Sequence, residues 1–160
     1  IKRVKVVDAG NSAGRIIFID NQNYNNGIQL NQINGPESDL PVTFIFSALK
    51  PVVLTGTITG NVRMFFAGDF QFGMGTETVA YNGLTMFMSN GDMKICGSIW
   101  SDKNNPGGGF LSSDKDITIV ESASFQGQIQ CRGNFKTSGL IQFNDSVLKA
   151  PGFTVPKGMK

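Results

Sequence analysis

Short runs of alternating apolar and polar residues, each bounded by glycine or asparagine, most restrict the fold of this chain. From Thr55 onward the alternation is regular, and Val62, Met64 and Phe66 fall on one face of a strand. The same pattern recurs at Leu84/Met86/Met88, Met93/Ile95, Ile117/Ile119, Ile129/Cys131 and Ile141/Phe143. No segment shows a helical periodicity of useful length. The sequence therefore predicts an all-β fold.

The first third of the chain is less regular. Three β-branched or aromatic runs, 16–19, 42–46 and 52–54, predict short strands. Two segments rich in turn-forming residues, Asn21 to Pro41 and Ser101 to Gly109, predict loops. A length of 160 residues favours one domain. We expect a single all-β domain over 1–160, with irregular strands and a loop in 1–54, solenoid-like repeats in 55–148 and an extended tail in 149–160.

The repeats consist of a glycine corner followed by a small alternating strand. They begin at Gly56, Gly91, Gly97, Gly127 and Gly139. Such phrases are typical of a single-stranded β-solenoid (β-helix), in which each short strand pairs with its equivalent in the next coil. Asparagine tolerates left-handed backbone angles and stacks in hydrogen-bonded ladders, so its abundance agrees with corners of this kind. A β-sandwich with hairpin turns is the alternative.

Composition excludes several classes of enzyme. The chain has no histidine, which removes the Ser-His-Asp and Cys-His machineries and most zinc sites. Two carboxylates suffice for glycoside hydrolysis, but the spacing of Asp114, Asp116 and Glu121 does not distinguish a catalytic pair from surface acids. No apolar stretch is long enough to span a membrane. We expect no enzymatic activity, no catalytic residue, no metal and no cofactor.

Basic residues beside the proposed coils are the best candidates for binding. If the coils stack in register, the cations could form a stripe that contacts phosphates, with Trp100, Phe70 or Tyr81 stacking on bases. The turn-rich loop would add exposed amides. The candidate binding residues are Arg63, Lys94, Trp100, Asn104, Asn105, Arg132 and Lys136.

The two cysteines, Cys96 and Cys131, each lie in an alternating pattern and are expected on neighbouring strands. They are compatible with a disulfide and equally with two buried thiols.

The segment from 55 to 148 resembles two bacterial families built on β-solenoids. Its Gly-x-Ile phrases are similar to those of bactofilins. Its overall sequence pattern more closely resembles that of the non-helical domains of large minor type IV pilins, of the PilX-like and competence-associated kinds. Those domains end in an aromatic-Asp-Ser-Leu-like motif, which Gly139-Leu-Ile-Gln-Phe-Asn-Asp-Ser-Val-Leu148 resembles. The pilin resemblance implies a displayed domain whose helical stalk lies upstream of Ile1.

The first functional hypothesis is thus a non-enzymatic structural and binding module of a bacterial surface filament, extracellular or at the cell surface. It would display loops for adhesion or capture of a polymer such as a surface polysaccharide or DNA, and its partners would be other filament subunits or itself. One alternative is a self-assembling, bactofilin-like filament subunit, whose unpaired end strands polymerise. Another is a receptor-binding piece of a phage tail fibre.

Overall fold

The chain folds into strands that belong to two parallel sheets. The computed structural model describes residues 2–24, 26–74, 84–99, 108–121 and 123–143. The first sheet contains β1 (Lys2–Asp8), β3 (Ile28–Asn34), β5 (Val52–Leu54), β6 (Ile58–Thr59), β8 (Phe70–Phe72), β10 (Met93–Ile95), β12 (Ile117–Ile119) and β14 (Phe135–Thr137). The second contains β2 (Ile16–Ile19), β4 (Val42–Phe46), β7 (Val62–Phe66), β9 (Leu84–Ser89), β11 (Gly108–Ser113), β13 (Ser124–Cys131) and β15 (Leu140–Phe143). The predicted all-β fold is confirmed.

The chain visits the two sheets almost alternately, and each pairing between strands is parallel. In the first sheet β1, β3, β5, β8, β10, β12 and β14 follow one another in chain order, with β6 also pairing with β3. In the second sheet β2, β4, β7, β9, β11, β13 and β15 do the same. The pairings β3–β6 and β4–β7 join strands before residue 54 to strands after it within the same sheet. Among the described residues, the edge strands are β1 and β14 in the first sheet and β2 and β15 in the second.

Apolar side chains form straight rows because the pairing is in register. One row of the first sheet runs Ile28, Val52, Phe70, Met93 and Ile117, all buried. A parallel row runs Leu30, Leu54, Phe72, Ile95 and Ile119. The second sheet contributes the row Phe44, Met64, Phe87 and Leu111. These rows form one hydrophobic core.

Aromatic rings join the two sheets inside this core. Phe66 of the second sheet stacks on Phe70 of the first, with ring centroids 4.0 Å apart and planes 10° from parallel. Phe87 packs against Phe70 and Phe72 at 4.7 and 5.6 Å. Such contacts add to the free energy gained from burial of the rings alone.

A row of side-chain acceptors fixes the turns that lead into the first sheet. Asp69, Asp92 and Asp116 directly precede β8, β10 and β12, and Asn134 precedes β14. The backbone N–H of each later member donates to Oδ1 of the member before it, at 2.9 Å for Asp92, 3.2 Å for Asp116 and 2.8 Å for Asn134. We call these four residues the turn row. Its three hydrogen bonds satisfy a backbone donor just before β10, β12 and β14, where the strand ladder has not yet begun.

The predicted strands 16–19, 42–46 and 52–54 are confirmed as β2, β4 and β5. The loop predicted from Asn21 to Pro41 is wrong in its middle, where β3 lies. Its polar residues misled the prediction because several of them face outward while Ile28, Leu30 and Ile33 are buried. Gly108 and Gly109, predicted as loop, belong to β11; 101–107 lie outside the described residues.

The role expected for asparagine in left-handed corners is also wrong. Within the described ranges, positive φ angles occur at glycine alone. The corners use side-chain hydrogen bonds instead, as in the turn row. Asn21 gives a second example: it is fully buried, accepts from the backbone N–H of Ala48 at 2.8 Å, and donates from Nδ2 to the Lys50 carbonyl at 3.4 Å.

Gly127 provides a test of the close approach between β11 and β13. Its φ is +147°, and a Cβ there would overlap the backbone of Gly109, its register partner. We expect Gly127→Ala to lower the free energy of unfolding by about 2–4 kcal/mol. At Gly10 an added Cβ would meet ordinary van der Waals contact only. Gly10→Ala should therefore change stability by less than about 0.5 kcal/mol in the same urea titration. Equal effects would contradict the assigned register.

Asp92 tests the turn row. Asp92→Ala removes the acceptor for the Asp116 N–H, and we expect a loss of about 1 kcal/mol in the free energy of unfolding. Asp92→Asn keeps an Oδ1 acceptor and should remain within about 0.5 kcal/mol of the parent. Asp114→Ala is the matched control, since that carboxylate is exposed and, among the described residues, pairs with Arg132 alone, which is itself solvated. If the two Asp92 variants were equally unstable, the hydrogen bond would not explain the row.

Candidate binding surface

The outer face of the first sheet carries a straight row of side chains that are polar or basic at every position except Val53. The register places them at equivalent positions between the two buried apolar rows, so they point away from the core. We call this row the outer row. Its members are Arg3, Gln29, Val53, Gln71, Lys94, Thr118 and Lys136.

Two of the four predicted cations, Lys94 and Lys136, belong to the outer row. Both are exposed, and Thr118 separates them on the intervening strand. Adjacent strands lie about 4.8 Å apart, so the two ammonium-bearing residues lie about 9.6 Å apart along the row. The structure thus brings together half of the expected basic stripe.

Arg63 lies elsewhere, on the second sheet between Thr43 and Met86. It is half-buried, and desolvation lowers the pKa of its guanidinium below the ordinary value. Its Nε is buried and has no hydrogen-bond partner among the residues that the structure describes. The prediction that it lies in the same stripe as Lys94 is wrong, because the chain has crossed to the other sheet at that position.

Arg132 lies in the turn after β13 and not on a sheet face. Its Nε is 3.6 Å from Oδ1 of Asp114, with 77% and 53% of the two side chains exposed. A pair so open to solvent contributes little to stability. Its charge is partly compensated locally, which makes it a weaker anion contact than Lys94 or Lys136.

The aromatic partners suggested for base stacking do not accompany the lysines. Phe70 is 2% exposed and belongs to the core. Trp100, Asn104, Asn105 and Tyr81 lie outside the described residues. Among the described members of the outer row, no aromatic side chain is present.

The turn row adds negative charge beside the middle of the outer row. Asp69, Asp92 and Asp116 come two positions before Gln71, Lys94 and Thr118. A shallow depression of 270 Å³ lies there, lined by Val53, Asp69, Gln71, Asp92 and Lys94 among others. The carboxylates end with Asp116, since Asn134 takes the corresponding place before Lys136. The positive charge of the outer row is therefore least compensated toward its ends.

Two of the three carboxylates considered for glycoside hydrolysis have structural partners. Asp116 accepts a backbone hydrogen bond within the turn row, and Asp114 pairs with Arg132. The described residues contain no group of three or more His, Cys, Asp or Glu arranged to hold a metal ion. Among them, no helix has the length and apolar character that crossing a bilayer requires.

The two cysteines are not joined by a disulfide. Cys96 follows β10 in the first sheet, whereas Cys131 ends β13 in the second. The expectation of neighbouring strands is wrong because β10 and β13 belong to different sheets. Cys131 instead occupies the register position of Ser89 and Ser113.

An apolar row on the outer face of the second sheet was not identified from the sequence. Phe18, Ile45, Phe65 and Met88 are in register, and the last three line a groove of 210 Å³ together with Ser112 and Asp114. The alternation of these strands is visible in the sequence. The outer faces of β4 and β7 combine a polar residue, Thr43 or Arg63, with a large apolar one, Ile45 or Phe65, so the apolar row emerges only when the register is known.

Searches against models of protein families, curated proteins and solved structures find no match to this chain. No family, relative or solved structure therefore indicates what this surface binds.

Arg63 yields a prediction about stability. Arg63→Met keeps an unbranched apolar stem beside Met86 and removes a buried donor that has no partner among the described residues. We expect the free energy of unfolding to rise by about 0.5–1 kcal/mol, measured by urea denaturation. Arg15→Met, at an exposed position, is the control and should leave stability within about 0.5 kcal/mol. A loss of stability in Arg63→Met alone would show that the guanidinium has a partner that stabilises the fold.

Proposed function

We propose that the chain is a β-solenoid that acts as a non-enzymatic structural and binding module of a bacterial surface filament. The alternate visits of the chain to two parallel sheets support the solenoid, because one circuit then adds one strand to each sheet. Apolar side chains fill the core, so we expect recognition to take place on the outer faces of the sheets. In this proposal the module captures an extended polymer outside the cell.

The observation that carries the binding proposal is the outer row. It presents Gln71, Lys94, Thr118 and Lys136 at a constant interval, with hydrogen-bonding groups and cations along one line. A polymer with repeated anionic and hydroxyl groups matches such a line, since each repeat meets an equivalent position. An anionic polysaccharide fits better than single-stranded DNA, because no aromatic side chain among the described members of the row could stack on bases.

The test is binding of alginate, a polyuronate, to the chain by isothermal titration calorimetry at low salt. Two exposed ionic contacts of about 0.7 kcal/mol each amount to about 1.4 kcal/mol, so Lys94→Gln/Lys136→Gln should weaken binding about tenfold. The matched control, Arg15→Gln/Lys50→Gln, removes the same charge outside the outer row and should leave the affinity within about twofold.

If both double variants bound alginate equally weakly, the interaction would depend on net charge alone. That result would contradict the outer row as the binding site. Binding of a single-stranded oligonucleotide but not of alginate would favour the DNA alternative. No binding of either polymer by the parent chain would contradict capture of an anionic polymer.

Self-assembly into filaments is a second candidate function, favoured by the open edges. Phe18 near one end is 71% exposed, and Leu140 and Phe143 at the other are each 64% exposed. Apolar side chains beside unpaired strands are typical of surfaces at which sheets extend from one molecule to the next.

A further inference from the structure

The two ends of the first sheet are complementary in direction and register. β1 and β14 are its edge strands, and the outward edge of each lacks a partner strand among the described residues. All strands of the sheet are parallel, so a strand added beyond β14 must run in the same direction as β14. The free edge of β1 in a second copy of this chain meets that requirement. A sheet edge of this kind is a template for pairing with another chain.

Continuing the register across such a junction fixes which side chains meet. Phe135, Lys136 and Thr137 occupy the positions that Lys2, Arg3 and Val4 occupy at the other end, because all lie on the same rows. Lys136 of one copy would therefore lie beside Arg3 of the next, about 4.8 Å away along the row. The outer rows of the two copies would become one row.

This junction is electrostatically unfavourable without an added anion. Lys136 and Arg3 are both exposed, and Lys5 lies two positions beyond Arg3. No carboxylate of the turn row reaches the junction from the last strand, since Asn134 stands there instead of aspartate. Like charges directly opposite each other on adjacent strands oppose pairing.

We propose that end-to-end stacking of copies of this chain is coupled to the binding of an anionic polymer along the outer row. The inference rests on the proposed capture of such a polymer. A polyanion that lies along the joined rows neutralises Lys136 and Arg3 at the junction and contacts Lys94 in both copies. Each added copy lengthens the row that the polymer contacts, so binding and stacking favour each other.

The experiment measures weight-average mass by sedimentation velocity at low salt, with and without alginate, and images the samples by negative-stain electron microscopy. The parent chain should be monomeric alone, and alginate should raise its weight-average mass at least threefold. Lys136→Glu places a carboxylate opposite Arg3 and should stack without alginate. Arg3→Glu places one opposite Lys136 and should do the same.

The double variant Arg3→Glu/Lys136→Glu restores like charges at the junction. It should be monomeric alone and should not stack when alginate is added. Lys94→Glu is the matched control: it changes the same charge two strands from the junction, so it should weaken alginate binding and remain monomeric without alginate.

The outcomes separate this inference from the function on which it rests. A parent chain that binds alginate but stays monomeric at saturation would overturn the coupling and leave polymer capture intact. A parent chain that stacks without alginate at low salt would also overturn it. If neither single variant stacks alone, the junction is wrong, whether or not alginate binds. If alginate does not bind the parent chain, both the capture and its coupling to stacking fail.

Discussion

The rest of the structure depends on backbone hydrogen bonding between parallel strands that follow one another within each sheet. Ile28 pairs with Val52, and Ile117 pairs with Phe135, although 24 positions separate the first pair in the sequence and 18 separate the second. The strands stay in register across these different lengths, so the variation is confined to the connections. Once the register is set, equivalent positions fall into rows. The core, the turn row and the outer row are three consequences of the same pairing.

The turn row shows how the register between strands is kept although the connecting segments differ in length. Each turn ends on a residue whose backbone N–H reaches the side chain one strand away, whatever the length of the preceding connection. Asn134 continues the row through its backbone N–H, which donates to Oδ1 of Asp116 as the N–H groups of Asp92 and Asp116 donate to the members before them. The acceptor fixes where each strand begins.

Sequence patterns could predict the strands but not which sheet each strand joins. Gly91-Asp92-Met93-Lys94-Ile95 is visible as a repeat unit, but the equivalent segments differ from it at the defining positions. Lys115 replaces the glycine in 115–119, and Asn134 replaces the aspartate in 133–137. Because the number of residues between paired strands varies along the chain, no fixed period aligns these units. For the same reason the sequence predicted one basic stripe that contained both Arg63 and Lys94. Both residues lie on strands with alternating patterns, and only the fold shows that those strands belong to different sheets. The alternation in β9 places Met86 and Met88 on one face of the strand. The register shows that Phe87, on the other face, pairs with Met64 and lies in the core.

The basic ends of the first sheet explain why parallel strands whose outer edges lack a partner among the described residues need not aggregate. Natural proteins protect sheet edges by placing charges there, lysine in particular. Here the turn-row carboxylates flank the middle strands, while Arg3 and Lys136 carry positive charge at the two edges. Such protection depends on both edges bearing the same sign, so whatever neutralises that charge also removes the barrier to pairing. The outer row extends from β1 to β14, so a polymer longer than the row and bound along it would pass both edges. Under the proposed coupling, the same few charges would control both recognition and assembly.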